Sequence, residues 1–266
     1  MIITYNLLKM KTEAKNPIKY FLLVNGQEYC VNTFLEKNII IKFEHQINCI
    51  NCGKSIKKTF FQGYCYNCFS TLPQADPSVI NPELNRAHEG ISRDMEWSKK
   101  YDLTEHYVYL SVTDAVKVGV TRIMNIPSRW IDQGAEYAIK FAKTPYRQLA
   151  GVIEVEMKNY LNDKTNWRKM LSDSVTDIPD LMELKELYAT YLPEELQQFI
   201  CDDDKITELK YPVIKYPEKI KSINLDKTDE YSGILTGIKG QYLIFDDGHV
   251  FNIRKHNGYK VSIEIY

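Results

Sequence analysis

The sequence predicts an α+β protein with an N-terminal β/zinc-ribbon module, a central α/β core and a C-terminal small β element. Three observations predict it. Two cysteine pairs follow a stretch of alternating apolar residues. The middle of the chain reads β, β, helix start, β, then an apolar repeat of period four. Glycine-bearing turns divide residues 231–266 into short β runs. At 266 residues, with 44% hydrophobic and 26% charged residues, the chain suits one large domain or two modest ones rather than a disordered polymer. No apolar run approaches the roughly 18 residues a membrane helix needs. The start turns polar after Leu8, unlike a secretory signal. A cytoplasmic protein with no membrane partner is the expectation.

Each element has a local reason. In the N-terminal β segment, residues 1–47, the residues Ile18, Tyr20, Leu22 and Val24 alternate as on a half-buried strand. Asn25-Gly26 is a two-residue hairpin signal, followed by Tyr29 and Val31. Residues 39–43 form another β candidate. Residues 48–70 hold the cysteines. Residues 71–105, with Pro73, Pro77 and Pro82, read as an irregular connector with a short helix near 91–99. The core occupies residues 106–170. It predicts strands over 107–112 and 116–121 around the turn Asp114-Ala115, and a helix over 126–133 with Pro127 in its first turn. A third strand follows over 137–142. Leu149, Ile153, Met157 and Leu161 recur every four residues and predict a helix over 146–162 with one buried face. Residues 171–230 form an acidic helical segment and linker. Helix is expected over 178–201, with its leucines, Tyr188 and Tyr191 facing inward, and Pro212 and Pro217 mark the linker. Residues 231–266 read as a small antiparallel meander or barrel.

Cys49-x-x-Cys52 and Cys65-x-x-Cys68 carry the clearest chemistry. Two residues between sulfurs let one tight turn aim both thiolates at one ion, and two such turns complete a tetrahedral zinc shell. Four thiolates leave no open position, so the zinc is expected to be structural. The spacing suits a ribbon or a knuckle. Lys54, Lys57 and Lys58 lie between the pairs, with Phe60, Phe61 and Tyr64 behind them. Those aromatics either pack the small core of the element or offer stacking surface beside phosphate-binding lysines. The net charge is −1, but basic residues outnumber acidic ones over 1–170 and acidic ones dominate 171–230. A moderately basic front half attracts phosphates; an acidic helical stretch is otherwise a solvated face.

A second constellation comprises Tyr107, Tyr109, Lys117-Val118-Gly119, Thr121-Arg122, Arg129-Trp130, Gln133 and Glu154. A strand with tyrosine, a turn, a strand ending in Val-Gly, an arginine ten residues later and a glutamate on a following helix resembles the GIY-YIG nuclease fold. The resemblance covers residues 105–167 and implies a divalent-metal-dependent endonuclease acting on DNA or RNA. Tyr109 would help activate water, Arg129 would hold the phosphate, and Glu154 would bind Mg or Mn. Tyr107, Lys117, Thr121, Arg122, Trp130, Gln133, Lys164 and Asn166 would contact the substrate. The chain departs from the pattern at Tyr107, which replaces a glycine, at Lys117, which replaces a tyrosine, and at Gln133, where histidine is frequent. Glu156 competes with Glu154 for the metal role.

Over its whole length the chain also resembles an uncharacterised bacterial family, domain of unknown function 2797. The resemblance rests on Cys49-x-x-Cys52-Gly53, Gly63-Tyr64-Cys65-x-x-Cys68-Phe69, Pro82-Glu83-Leu84, Arg93-Asp94-x-x-Trp97, His106-x-Val108-Tyr109-Leu110, and residues 117–122, 129–135, 163–168 and 237–242. Relatives carry further cysteines in the connector. Here those positions hold Ala75, Ser78, Asn85, Ser92 and Tyr101, so no second metal site is expected. His88 and His106 are read as structural rather than as ligands. The run Asp202-Asp203-Asp204 lacks the glycine and distant glutamate of a calcium loop. Two further functions stay open: a non-catalytic RNA- or DNA-binding adaptor that lost its chemistry, and a small-molecule enzyme using an apolar pocket near Trp130–Gln133. The oligomeric state is not legible.

Overall fold

The computed structural model describes residues 1–266 except 162–164, 174 and 176. In chain order its strands begin with β1 (Ile2–Asn6), β2 (Lys11–Glu13), β3 (Lys19–Val24), β4 (Gln27–Cys30), β5 (Asn38–Asn48) and β6 (Ser55–Ile56). Then come β7 (His106–Val112), β8 (Val116–Arg122), β9 (Tyr137–Thr144) and β10 (Thr207–Glu208). The last are β11 (Lys221–Ser222), β12 (Glu230–Lys239), β13 (Tyr242–Phe245), β14 (His249–Asn252) and β15 (Tyr259–Ile265). The helices are α1 (Tyr66–Thr71), α2 (Met95–Tyr101), α3 (Ser128–Asp132), α4 (Arg147–Met157), α5 (Trp167–Ser172), α6 (Leu181–Tyr191) and α7 (Glu194–Gln197). No helix among the described residues is long and apolar enough to cross a membrane. The chain is a mixed α+β protein with two compact units. One comprises Met1–Ser70, Arg168–Ser174 and Leu209–Tyr266; the other comprises Thr71–Trp167 and Val175–Glu208.

In the first unit the terminal thirds of the chain make one sheet, in the order β1-β15-β5-β12-β13-β14-β11, with β6 added to β5. Strand β5 alternates cleanly, burying Ile39, Ile41 and Phe43 while Lys42 and Glu44 face water. It pairs with β15 on one side and β12 on the other. Strand β12 then bends at a bulge between Leu235 and Gly237 and continues against β13. The sequence reading separates an N-terminal β segment from a C-terminal meander. Their pairing joins residues some 200 positions apart, which no local pattern encodes. The predicted hairpin is present: Asn25 and Gly26 both take positive φ, 51° and 83°, between β3 and β4. The expected linker at Pro212 is packed structure. Pro212 accepts the Ile238 amide at 3.0 Å, and Val213 lies so close to Gly237 that a Cβ there would approach to 2.9 Å.

In the second unit the sheet order is β10-β9-β7-β8, antiparallel throughout. One face holds Val108, Leu110, Val112, Val118 and Ile139, covered by Ala150, Ile153 and Met157 of α4 and by Leu181, Leu192 and Leu196. The four-residue repeat thus buries the predicted face of α4, although the helix ends at Met157 rather than near 162. Pro127 sits at the N-cap of α3, one position before the first turn. The connector is more ordered than its composition suggests. Pro73, Pro77 and Pro82 each open a short 3-10 turn, and Asp94 caps α2 by accepting the Trp97 amide at 3.0 Å. Arg147 donates to the carbonyls of Ser78 and Val79 at 3.1 and 2.9 Å, tying these turns to α4. On α6, Leu187 and Tyr191 are exposed rather than inward, because only a narrow stripe centred on Leu181 and Lys185 is buried. Lys185 donates to Asp204 at 2.7 Å and to the Cys201 carbonyl, while Asp203 pairs with Lys140 at 2.6 Å. The acidic run is thereby occupied by lysines.

His106 is buried on β7, with Nδ1 2.7 Å from the Thr104 carbonyl. Burial, with Arg147 and Arg122 nearby, pushes its pKa down to about 4. The folded protein keeps the ring neutral while the unfolded chain protonates it below about 6.5. Its contribution is therefore full above pH 6.5 and is lost as pH falls towards 4, by about 3 kcal/mol at most. Urea unfolding of wild type and His106→Asn at several pH values should show a steeper acid loss in wild type. Parallel curves would contradict this.

Candidate functional site

The four cysteines converge. Cys49 and Cys52 lie on the turn between β5 and β6, and Cys65 and Cys68 bracket the start of α1. Their sulfurs all lie within 4.8 Å of one another. A tetrahedron with Zn–S bonds of about 2.3 Å spaces its sulfurs by about 3.8 Å. The 3.9 Å between Cys52 and Cys65 meets that spacing, so the set fits zinc. Burial disfavours a thiolate at Cys49, but backbone amides of Cys52, Cys65 and Asn51 outweigh it and bring the thiol down to about 6. Asn51 donates to Cys68 at 3.4 Å, yet burial and the other three sulfurs push that thiol up to about 12. Four close sulfurs cannot all ionise without a cation between them, which is the chemistry a metal supplies.

The element is seated by the chain's last turn. The Asn48 amide donates to Gly258 and the Ile50 amide to Gly63, at 2.8 and 3.0 Å. Arg254 and Asn257 hold Gln62 through its side chain and its carbonyl. A Cβ on Gly258 would stand 2.3 Å from the Asn48 carbonyl oxygen, so only glycine permits this approach. The aromatics largely pack the element. Phe60 stacks on Phe69 and Phe61 on Tyr64, all half-buried.

The second cluster builds on the β7–β8 hairpin, where Tyr109 pairs with Gly119, Tyr107 with Thr121 and Ser111 with Lys117. Alternation puts Tyr107, Tyr109, Lys117 and Thr121 on the face opposite the apolar core. A Cβ on Gly119 would lie 2.6 Å from the Tyr109 hydroxyl, so the tyrosine crosses β8 where no side chain stands. Its hydroxyl donates to Gln133 Oε1 at 2.6 Å, and Trp130 meets its ring edge-on at 6.0 Å. Burial raises the Tyr109 hydroxyl pKa, against the adjacent Arg129 cation and its hydrogen bond. Burial also raises the Glu154 carboxyl, opposed by Lys158 at 3.4 Å and by Arg129, and reinforced by Glu83. Arg129 is thus the charged neighbour common to Tyr109 and Glu154.

These two side chains sit in packed surroundings rather than in a solvent-open cleft. Tyr109 is 0% and Glu154 8% exposed. Trp130 is itself buried against Tyr109, and the connector closes on α4: a Cβ on Gly151 would lie 2.2 Å from the Glu83 amide nitrogen. Of the expected substrate contacts, Tyr107 lies under Lys140 at 5.0 Å, and Thr121 is buried. Lys117 is buried, its ammonium donating to Thr165 at 2.8 Å, so it does not line an open rim. Arg122 falls on the opposite face, beside His106, over the ring of Tyr101 at 4.8 Å. Asn166 is exposed, and Lys164 lies outside the described residues. Glu83 carries no predicted chemistry in the sequence. Among the described residues, its Oε2 is buried without a hydrogen-bond partner, as is Nε of Arg129. Only its place in a Pro-Glu-Leu turn hinted at it.

A model of the family described as "Protein of unknown function (DUF2797)" matches residues 36–261. Comparison with the curated proteins and with the solved structures found no match.

Purified protein should carry one zinc ion per chain by elemental analysis, and Cys49→Ser or Cys65→Ser should lose most of it; a metal-free, fully folded wild type would refute the assignment. Gly119→Ala should cost about 1–3 kcal/mol in urea unfolding, because the Tyr109 ring has no free space to enter. A neutral substitution would show that the ring can relocate.

Proposed function

The chain belongs to the DUF2797 family, and we propose that it binds nucleic acid and cleaves phosphodiester bonds with a divalent metal at Tyr109, Arg129 and Glu154, on a GIY-YIG-like core. One observation carries this reading: the Arg129 cation acts on both the Tyr109 hydroxyl, through charge and a hydrogen bond, and the Glu154 carboxyl, through charge alone. The order hairpin, α3, β9, α4 supports it, since it presents tyrosine, glycine, arginine and glutamate in the sequence that the resemblance requires. Glu154 and the unpartnered Glu83 oxygen are hard oxygen donors of the type that suits Mg or Mn. Bound there, the metal would supply Lewis-acid stabilisation of a leaving oxygen. Arg129 would hold the phosphate, and Tyr109 would orient the attacking water. The zinc on Cys49, Cys52, Cys65 and Cys68 would be structural, its shell being full.

A second reading has its own support. Tyr109 is fully buried and spends its proton on Gln133, an amide that cannot accept it as a base would. This favours a nucleic-acid-binding adaptor that kept the fold and lost the reaction.

Assays on labelled single- and double-stranded DNA and RNA with Mg or Mn separate the two. Cleavage by wild type, reduced about 100-fold or more in Glu154→Ala with binding retained, supports the enzyme. Binding without cleavage by either protein supports the adaptor. No binding by either removes both readings.

A further inference from the structure

The four-cysteine element leaves one face unexplained by its own packing. Phe60, Phe61, Tyr64 and Phe69 form its small core, but Tyr66, on α1 between two ligand cysteines, is 65% exposed. Its ring rests edge-on against Phe60 at 5.4 Å, so it is fixed from behind and open in front. Lys54, Lys57 and Lys58 are exposed on the same element. Residues 45–75 contain no Asp or Glu, and no carboxylate among the described residues pairs with these lysines. Lys58 lies over the Phe60 ring at 5.2 Å, the same ring that carries Tyr66. Four thiolates on one zinc leave a charge of about −2. Three of the four sulfurs are buried, and amide donors from Asn51 and the Cys68 backbone reach them. The three lysines themselves are exposed to water.

We infer that this element binds single-stranded nucleic acid, with Tyr66 as the platform for one unpaired base, Lys58 beside it on the Phe60 ring as a phosphate contact, and Lys54 and Lys57 as further cations for the phosphates along the strand. A flat ring fixed at its edge loses little freedom when a base stacks on it, and stacking requires a base face that a duplex does not offer. Cations without carboxylate partners gain from each phosphate through counterion release. The inference rests on the nucleic-acid reading above and names where, and on what kind of strand, binding occurs.

The test uses the zinc-loaded full chain carrying Glu154→Ala to prevent cutting, with fluorescent oligo-dT, oligo-U and a duplex, read by anisotropy. Tyr66→Ala should weaken single-strand binding about tenfold and leave duplex binding unchanged, while Tyr66→Phe should restore it. Replacing the three lysines with serine should lower the slope of log affinity against log salt by about 2. Unchanged zinc content and melting would show that each variant is folded. Single-strand affinity unaffected by both changes overturns the inference. If Arg129→Ala alone abolishes binding, the broader reading stands and this surface falls. If the starting chain binds no strand, both fall.

Discussion

At position 119 there is no side chain, and the ring of Tyr109 takes the space. That steric exchange fixes where the tyrosine hydroxyl ends, and so which groups can reach it: Gln133 as acceptor and Arg129 as cation. A second missing side chain, at Gly151, brings the Pro82-Glu83 backbone onto α4 and sets a carboxylate whose charge reaches Glu154. Two close approaches, each worth only a methyl group of volume, therefore assemble a cluster of one tyrosine, one arginine and two acids. Well-packed interiors have little slack, so such contacts act as fixed spacers. The same closeness buries the cluster, and this burial raises both the Tyr109 and the Glu154 pKa.

The other unit depends on a comparable device with different chemistry. The cysteine turns are short and have few apolar residues, so they gain order from two sources. One is the convergence of four sulfurs; the other is the seat formed by residues 254–258, where Arg254, Asn257 and Gly258 grip Gln62 and Asn48. The four-cysteine element at the front of the chain and the turn at residues 254–258 are thus one structure. Lys239 behaves similarly: fully buried, it places its ammonium near the rings of Tyr211 and Tyr216, which the sequence presents as a linker.

How much of this was legible follows from the range of each interaction. Period-two alternation at Ile18–Val24 and the Asn25-Gly26 turn are local, and the hairpin is where they place it. So is the four-residue repeat of α4. The cysteine spacing encodes its own convergence, because two turns of fixed geometry need only meet. What was not legible is long-range. Nothing near Phe43 or Tyr231 announces that β5 pairs with β12 and β15. Lys117 and Arg122 read alike as substrate contacts on one strand, yet one is buried against Thr165 and the other turns to the core side, since parity decides the face. Glu83 is marked in the sequence only by its Pro-Glu-Leu turn, because its proximity to Glu154 exists only through the packing at Gly151.

The central claim is that Glu154 holds a divalent cation within reach of Arg129 and Tyr109. Anomalous scattering from crystals grown with manganese and an uncleavable phosphorothioate strand addresses it directly. The account predicts a manganese peak about 2.2 Å from a Glu154 oxygen, with a strand phosphate against Arg129. A zinc peak among the four cysteines with no manganese at Glu154 would contradict it.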